Sequence, residues 1–264
     1  VNETPETTDT ATNVTQEKAR TSAEAVKWLG NFVLGGAIIA IVAVLIAATL
    51  ARYDIIDKLA GFAPFYITVN PARALAIIGL IGLAFAFWRK TGNIAKLALG
   101  FALSSALLIA QYTMLILPAG KVPPIHDITT DLNELPQFTT LDVAPVSTGP
   151  FTQEEWRAYH EEAYGDIRPE VIDKPPVEVL ANARALAETR GWEIAAADPE
   201  AGTLEATATA GYVRFYDDVI VEVTPVDDGS TRVDMRSVSR VGVSDVGYNA
   251  ARIRAFLKDL RGMG

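Results

Sequence analysis

The residues able to do chemistry crowd into the second half of the chain. His126 is followed directly by Asp127, Asp217 by Asp218, and Arg236, Ser239 and Arg240 lie within five positions; Ser244, Asp245, Asn249 and Arg252 complete the set. Paired carboxylates, or a histidine next to an acid and near a serine, are the raw materials of general acid–base or nucleophilic catalysis. The spacing argues against a ready-made catalyst. No G-x-S-x-G turn occurs, and adjacent side chains in an extended segment point in different directions, so a hydrolase would have to assemble His126 with Asp127 or Asp217 and a serine by folding. The chain has no cysteine and only two histidines, which rules out thiolate nucleophiles and disulfides. His126 and His160 bear no helical or hairpin relation to one another, so no metal site and no cofactor is expected. His126 reads as a hydrogen-bonded anchor of an extended segment, and His160 as a surface residue on a short helix.

These residues need a scaffold, and the chain supplies two different materials. Residues 1–120 hold 9 Lys and Arg against 7 Asp and Glu; residues 121–264 hold 14 against 25. An acidic second half repels phosphate backbones, so nucleic acid is not an expected partner.

The first half reads as membrane. Residues 1–27 are rich in Thr, Glu, Asn and Ala and are expected to form a polar, mobile tail, helical at most near Thr15 to Lys27. From Trp28 to Ala51 the chain carries no charge, long enough for a helix to cross a hydrocarbon core of about 30 Å. Residues 52–72, with Phe62, Phe65 and Tyr66, read as a short interfacial loop. A second span follows at 72–88 and a third at 94–117, ended by Pro118. Gly35, Gly36, Gly79 and Gly82 are small residues suited to helix packing. None of the spans contains a carboxylate, so a proton or ion relay has no evident carrier. Lys18, Arg20 and Lys27 precede the first span, and Arg89, Lys90 and Lys96 crowd the loop between the second and third. The positive-inside rule then places the N-terminus in the cytoplasm of a bacterium and the second half in the periplasm, with a multi-pass anchor in the inner membrane.

Residues 118–150 contain six prolines and are expected to form a semi-rigid connector lying on the domain that follows. The domain itself, residues 151–264, opens with a short helix near Gln153 to Ala163. A clear amphipathic helix follows from Pro175 to Gly191, with Val179, Leu180, Ala183 and Leu186 on one stripe. Strand candidates begin at Trp192, Thr203, Val213 and Thr231. A last helix, from about Ser244, has Val246, Ala250, Ile253, Leu257 and Leu260 on its apolar stripe and Ser244 or Asp245 as its cap. The expected fold is a three-helix membrane region plus an α+β domain: a four-stranded antiparallel meander with helices packed on one face.

Register decides where the acids point. Val219, Val221 and Val223 are apolar at odd positions, as are Val233 and Met235, so a three-residue loop Asp227-Asp228-Gly229 would pair Val223 with Val233, Val221 with Met235 and Asp217 with Ser239. Asp217 then shares the core face, and Asp218 faces outward. A second register would set Glu222 opposite Arg236 and Asp218 opposite Arg240 on the outer face. Sequence alone leaves both open. Arg252 is placed to fold back onto one of the acids.

The segments Ile125-His126-Asp127-Ile128, Asp217-Asp218, Arg236-Ser237-Val238-Ser239-Arg240 and Ser244-Asp245-x-Gly247-x-Asn249-Ala250-x-Arg252-Ile253 together resemble the domain-of-unknown-function 1499 family over residues 121 to 261. The resemblance implies a domain of bacteria and plastid-bearing organisms, often preceded by membrane segments, and it implies no reaction. Three functions compete on this basis. The first is a binding or assembly subunit of a membrane-associated complex. The second is a holder of a lipid or other apolar ligand between sheet and last helix, with Arg236, Arg240 or Arg252 at the headgroup. The third is the hydrolase.

Overall fold

The computed structural model describes residues 6–92, 94–226 and 229–263. Contacts divide the chain into two compact units, residues 1–114 and 115–264, each treated by itself.

The first unit is helical. Helix α1 runs over Glu6–Arg52, α2 over Lys58–Ile67, α3 over Val69–Trp88 and α4 over Ala95–Gln111; a π-helical stretch, Tyr112–Ile116, leads on to the short α5, Leu117–Ala119. Three helical stretches, Asn13–Arg52, Lys58–Trp88 and Ala95–Ala119, are long and apolar enough to cross a membrane.

Two expectations are corrected here. The polar tail is helix from Glu6 onward. It contains no Gly or Pro between Glu6 and Leu29, and it is continuous with the apolar span, so it extends an existing helix and avoids the costly nucleation step. The interfacial loop is also mostly helix. Asp57 caps α2 by accepting the N–H groups of Leu59 and Ala60, and only residues 53–57 and Thr68 turn. The small residues act as expected at Gly36, Gly79 and Gly82, where an added Cβ would press on Leu75, Phe101 and Leu29 respectively, whereas Gly35 meets nothing within 4 Å. The tightest approach in this unit is at Gly61 of α2, where a Cβ would lie 2.1 Å from the Ala51 Cβ of α1; at Gly100 it would lie 2.7 Å from the Leu34 nitrogen.

The second unit is built on a sheet with six strands, two more than expected: β1 Asp127–Thr129, β2 Glu170–Ile172, β3 Glu193–Asp198, β4 Thr203–Ala210, β5 Phe215–Pro225 and β6 Thr231–Ser239. The order is β1-β6-β5-β4-β3, with β2 also paired to β6. The four long strands form the meander. The added pair are short antiparallel strands that share one edge of β6, β1 against Arg236 to Val238 and β2 against Thr231 to Val233. Three residues are too few to show an alternating pattern in sequence.

Between β5 and β6 the register sets Val223 opposite Val233, Val221 opposite Met235 and Asp217 opposite Ser239, which is the first of the two registers. Of the connecting loop, Asp227 and Asp228 lie outside the described residues; Gly229 has φ +84°, the left-handed conformation that glycine adopts without strain.

Helices α7, Pro176–Thr189, and α8, Tyr248–Arg261, supply the inner layer. Val179, Leu180 and Ala183 of α7 and Ile253, Phe256 and Leu257 of α8 are buried in one apolar cluster with Val219, Val221, Val223, Val233 and Met235. Trp192 stacks on Phe256 at 5.0 Å between ring centroids. Helix α6, Gln153–Tyr164, begins at a capping box formed by Thr152 and Glu155 and packs beside β1.

The outer face of the sheet is not open to solvent as the meander predicts. Residues 131–147 cross it as a strap. Glu205 of β4 accepts hydrogen bonds from the N–H groups of Thr139, Thr140 and Leu141 and from the Thr139 hydroxyl. Beneath the strap, Ile220, Val238, Glu205 and Arg236 are buried. The proline-rich segment is thus the third layer of the unit.

Candidate functional site

The strap and β1 bring together a group of polar residues at β6, and the alternation of that strand sends them to two faces. On the outer face, Arg236 forms a two-pronged pair with Asp127, Nε to Oδ1 at 2.9 Å and Nη2 to Oδ2 at 2.8 Å. Both side chains are fully buried. The guanidinium also donates to the carbonyls of Pro136 and Ala144 and lies over the Phe138 ring. Buried charges persist only when paired and fully hydrogen-bonded, and this one has three acceptors. Asp127 holds α6 as well, because its carbonyl accepts the Trp156 indole N–H at 3.0 Å.

Asp218 lies on the same face and takes Arg240 in a second two-pronged pair, at 2.9 and 2.8 Å. It faces outward from the core as expected, but it is buried there and not left in solvent. Arg240 reaches it diagonally, since Asp218 sits opposite Val238. The hydrogen bonds that it donates to Asp218 hold the Arg240 guanidinium above its ordinary range.

On the inner face Asp217 pairs with Arg252 of α8, Nη2 to Oδ2 at 2.5 Å, so the arginine does fold back onto an acid. Arg252 also donates to Ser237 at 2.9 Å. Asn249 spans the same corner, donating to the His126 carbonyl at 2.9 Å and to Ser239 at 3.0 Å, and accepting from Ser237 at 2.7 Å. Asp217 and Asp218 are therefore held apart by the sheet and cannot share a proton.

Both Ser244 and Asp245 serve the start of α8. Ser244 Oγ accepts the Val246 N–H; the Asp245 carboxylate accepts those of Gly247 and Asn249. These acceptors hold Val246 at φ +48°, a conformation that a β-branched residue rarely adopts, ahead of Gly247 at φ +88°. Burial raises the Asp245 carboxyl, and the charge of Asp217 adds to this against the two N–H donors. The cap is thus a buried brace shared with the Asp217 network. The helix itself begins at Tyr248, later than expected, because residues 244–247 form the bend.

His126 is the junction of the two faces. Its Nε2 lies 2.8 Å from Ser147 Oγ, and its Nδ1 lies 3.3 Å from the Val243 carbonyl. A carbonyl can only accept, so Nδ1 carries the hydrogen and Nε2 takes the serine proton. The anchoring role expected of His126 is realised through Ser147. Neither acid expected to complete a hydrolase constellation reaches the imidazole, since the Asp127 carboxylate turns to Arg236 and to the Ser147 N–H, and Asp217 lies on the opposite face. Ser147, the one serine of residues 118–150, was missed because nothing in a proline-rich stretch marks it as the partner of a histidine 21 residues earlier.

His160 is not a surface residue. It is 2% exposed, its Nε2 accepts the Thr129 N–H at 3.1 Å, and its ring sits between Trp156 and Tyr164. Burial pushes it down to about 4. It is a neutral wedge that ties α6 to β1. Among the described residues no group of acids and histidines is placed to hold a metal.

Two open clefts flank the strap. One, of about 430 Å³, is lined by Glu134, Glu222, Arg232 and Asp234. The other, of about 530 Å³, is lined by Leu141, Val143, Ala144, Ser147, Val238 and Arg240, among others. The candidate residues His126, Asp127, Arg236, Ser239 and Asn249 form its base or support it.

No curated protein matches this chain. A family model described as a protein of unknown function, DUF1499, matches residues 127–260, which begin at the first residue of β1 and end one residue short of the end of α8. With half of its length inside that match, from the acid that anchors the buried arginine to the helix that braces Asp217, the chain belongs to the DUF1499 family.

Proposed function

We propose that this chain is a multi-pass protein of the bacterial inner membrane, with a cytoplasmic N-terminus and a periplasmic C-terminal unit that serves as a binding or assembly subunit of a membrane-associated complex. The observation that carries this reading is the cleft of about 530 Å³ between the strap and the outer sheet face. Its lining sets four aliphatic residues, Leu141, Val143, Ala144 and Val238, beside five polar ones, Asp142, Ser147, Asp218, Ser239 and Arg240, a mixture that suits a short polar segment of a partner. Of the charged residues that line it, Asp218 and Arg240 are occupied with one another and act as its frame, and Asp142 stands exposed at its rim. The runner-up reading, an apolar ligand between sheet and α8, finds that space filled by Val221, Met235, Ile253 and Phe256, all essentially unexposed.

Topology and binding are tested together in full-length protein. The chain has no native cysteine, so Glu200→Cys, in the exposed turn after β3, provides one reporter thiol. It is expected to react with a membrane-impermeant maleimide in intact spheroplasts; reaction only after lysis reverses the orientation. Affinity purification from native membranes in mild detergent is expected to recover a partner in near-stoichiometric amount. Val143→Arg, which fills the cleft and leaves the buried pairs intact, is expected to abolish that recovery. Equal recovery from both forms, or none from either, refutes the assignment to this cleft.

A further inference from the structure

Ser147 of the same cleft is backed by His126, a partner that a binding surface does not require. Ser147 Oγ is 2.8 Å from His126 Nε2, and the Val243 carbonyl fixes the ring from the other side. That carbonyl sets the tautomer in which Nε2 has its lone pair free for the serine proton, the arrangement a serine nucleophile needs. The supports of the pair are rigid. The Ser147 N–H is held at 2.8 Å by Asp127, whose carboxylate is clamped by Arg236. The loop carrying Val243 ends at the bend fixed by Ser244 and Asp245.

Exposure is divided between the two in the way the chemistry demands. His126 is 6% exposed, whereas Ser147 is part-exposed and lines the cleft. Gly149, at φ +63°, sits beside the imidazole, and a Cβ there would lie 3.6 Å from its Cε1. Leu141, Val143, Ala144 and Val238 give the cleft an aliphatic wall.

From this geometry we infer that Ser147 and His126 are the nucleophile and general base of a serine esterase acting on carboxylic esters with a small apolar acyl group. The Ser147 oxygen bonds to the carbonyl carbon as its proton passes to His126 Nε2. The tetrahedral adduct collapses, its bond to the alcohol oxygen breaks, and the alcohol leaves with the proton from Nε2. Water then attacks the acyl-serine, again giving its proton to Nε2, and the acid is released as Ser147 recovers the proton. The inference stands apart from the partner-binding reading, because it uses the serine and histidine and no partner.

The test uses full-length protein in detergent with two probes, a fluorophosphonate and p-nitrophenyl butyrate. Peptide mapping is expected to find the phosphonate on Ser147, and Ser147→Ala is expected to lower both labelling and hydrolysis at least about 100-fold. Because His126 also anchors the strap, His126→Gln is read beside Ser147→Ala, which keeps the Val243 contact and is checked for an unchanged melting temperature. Phosphonate on another serine, or none on folded wild-type protein, overturns the assignment. So does a hydrolysis rate that Ser147→Ala leaves intact. In each of these cases the serine and histidine form only a latch for the strap, and the maleimide and co-purification results are unaffected.

Discussion

Arg236→Met, with Asp127 left in place, is expected to destabilise the C-terminal unit by about 3–5 kcal/mol, the usual cost of stranding a buried charge by removing its partner. For a unit of this size that corresponds to a fall in melting temperature of roughly 10–15 °C, read by near-UV circular dichroism of the full-length protein in detergent. The size follows from the geometry. Both members of the pair are fully buried, and the guanidinium also satisfies the carbonyls of Pro136 and Ala144. Methionine fills much of the volume but leaves the Asp127 carboxylate and two strap carbonyls short of donors. In a double-mutant cycle, Asp127→Asn with Arg236→Met is expected to cost clearly less than the sum of the single changes. A shift below about 3 °C for Arg236→Met would mean that water reaches the pair, and that the strap does not seal the sheet.

The second large effect is expected at Glu205. This carboxylate, 1% exposed, gathers three N–H groups and one hydroxyl from residues 139–141. Glu205→Gln puts an amide donor where those donors point and is expected to cost about 3 kcal/mol. Hydrogen exchange at the amides of Thr139, Thr140 and Leu141 is expected to quicken at least tenfold while the amides of β5 stay protected. Uniform quickening across β5 would mean that strap and sheet unfold together.

Acid should reproduce the effect in the native protein. Burial alone would raise the Glu205 carboxyl, but the hydrogen bonds from Leu141 and Thr139, and then Thr140, hold it below its ordinary 4.5. A carboxyl depressed in the folded state contributes stability that is complete above 4.5 and is lost as pH falls through the lower folded value. Asp131, lowered by the N–H groups of Asn133 and Glu134 and by Arg232 against the effect of burial, adds a contribution of the same sign. His160 adds a third. Held to about 4, it binds its proton more readily in the unfolded chain, so folding weakens as pH drops below the ordinary 6.5. In Glu205→Gln the Glu205 part of this acid loosening should be gone, leaving a smaller effect from Asp131 and His160.

The parts legible in sequence are those with long periodic signals. Helices α7 and α8 followed from their apolar stripes, and the parity of Val219, Val221, Val223, Val233 and Met235 narrowed the β5–β6 pairing to two registers, one of which is the observed register. The position of Asp217 on the core face came with that register. The outer face was misread because its residues, Glu205, Asp218, Glu222, Arg236 and Arg240, are charged, and charge on alternate positions of a strand normally means water. One signal pointed the other way. Ile220 and Val238 are apolar on that same face, 1% and 4% exposed, so both strands carry large apolar residues on both sides in the manner of a doubly covered sheet. The proline density of residues 118–150 pointed to a connector lying on this domain, but no local pattern announces which face it covers, because its contacts with Glu205 and Arg236 join residues far apart in the chain.

The pairing of β1 with β6 bears on how the molecule is made. Asp127 and Arg236 are 109 residues apart, so the strand synthesised first in this unit finds its neighbour only when the strand synthesised last is available. Until then the strap has no completed surface to lie on, and α6 lacks the edge against which Trp156 and His160 pack. Closing a loop of that length costs about 4 kcal/mol of chain entropy beyond a fixed term, which the final edge contacts must recover together. Folding of the unit is therefore obligatorily late and all at once. A nascent chain halted before β6 would carry β4 and β5 as unsheltered strands, a form that quality-control proteases and chaperones are suited to intercept.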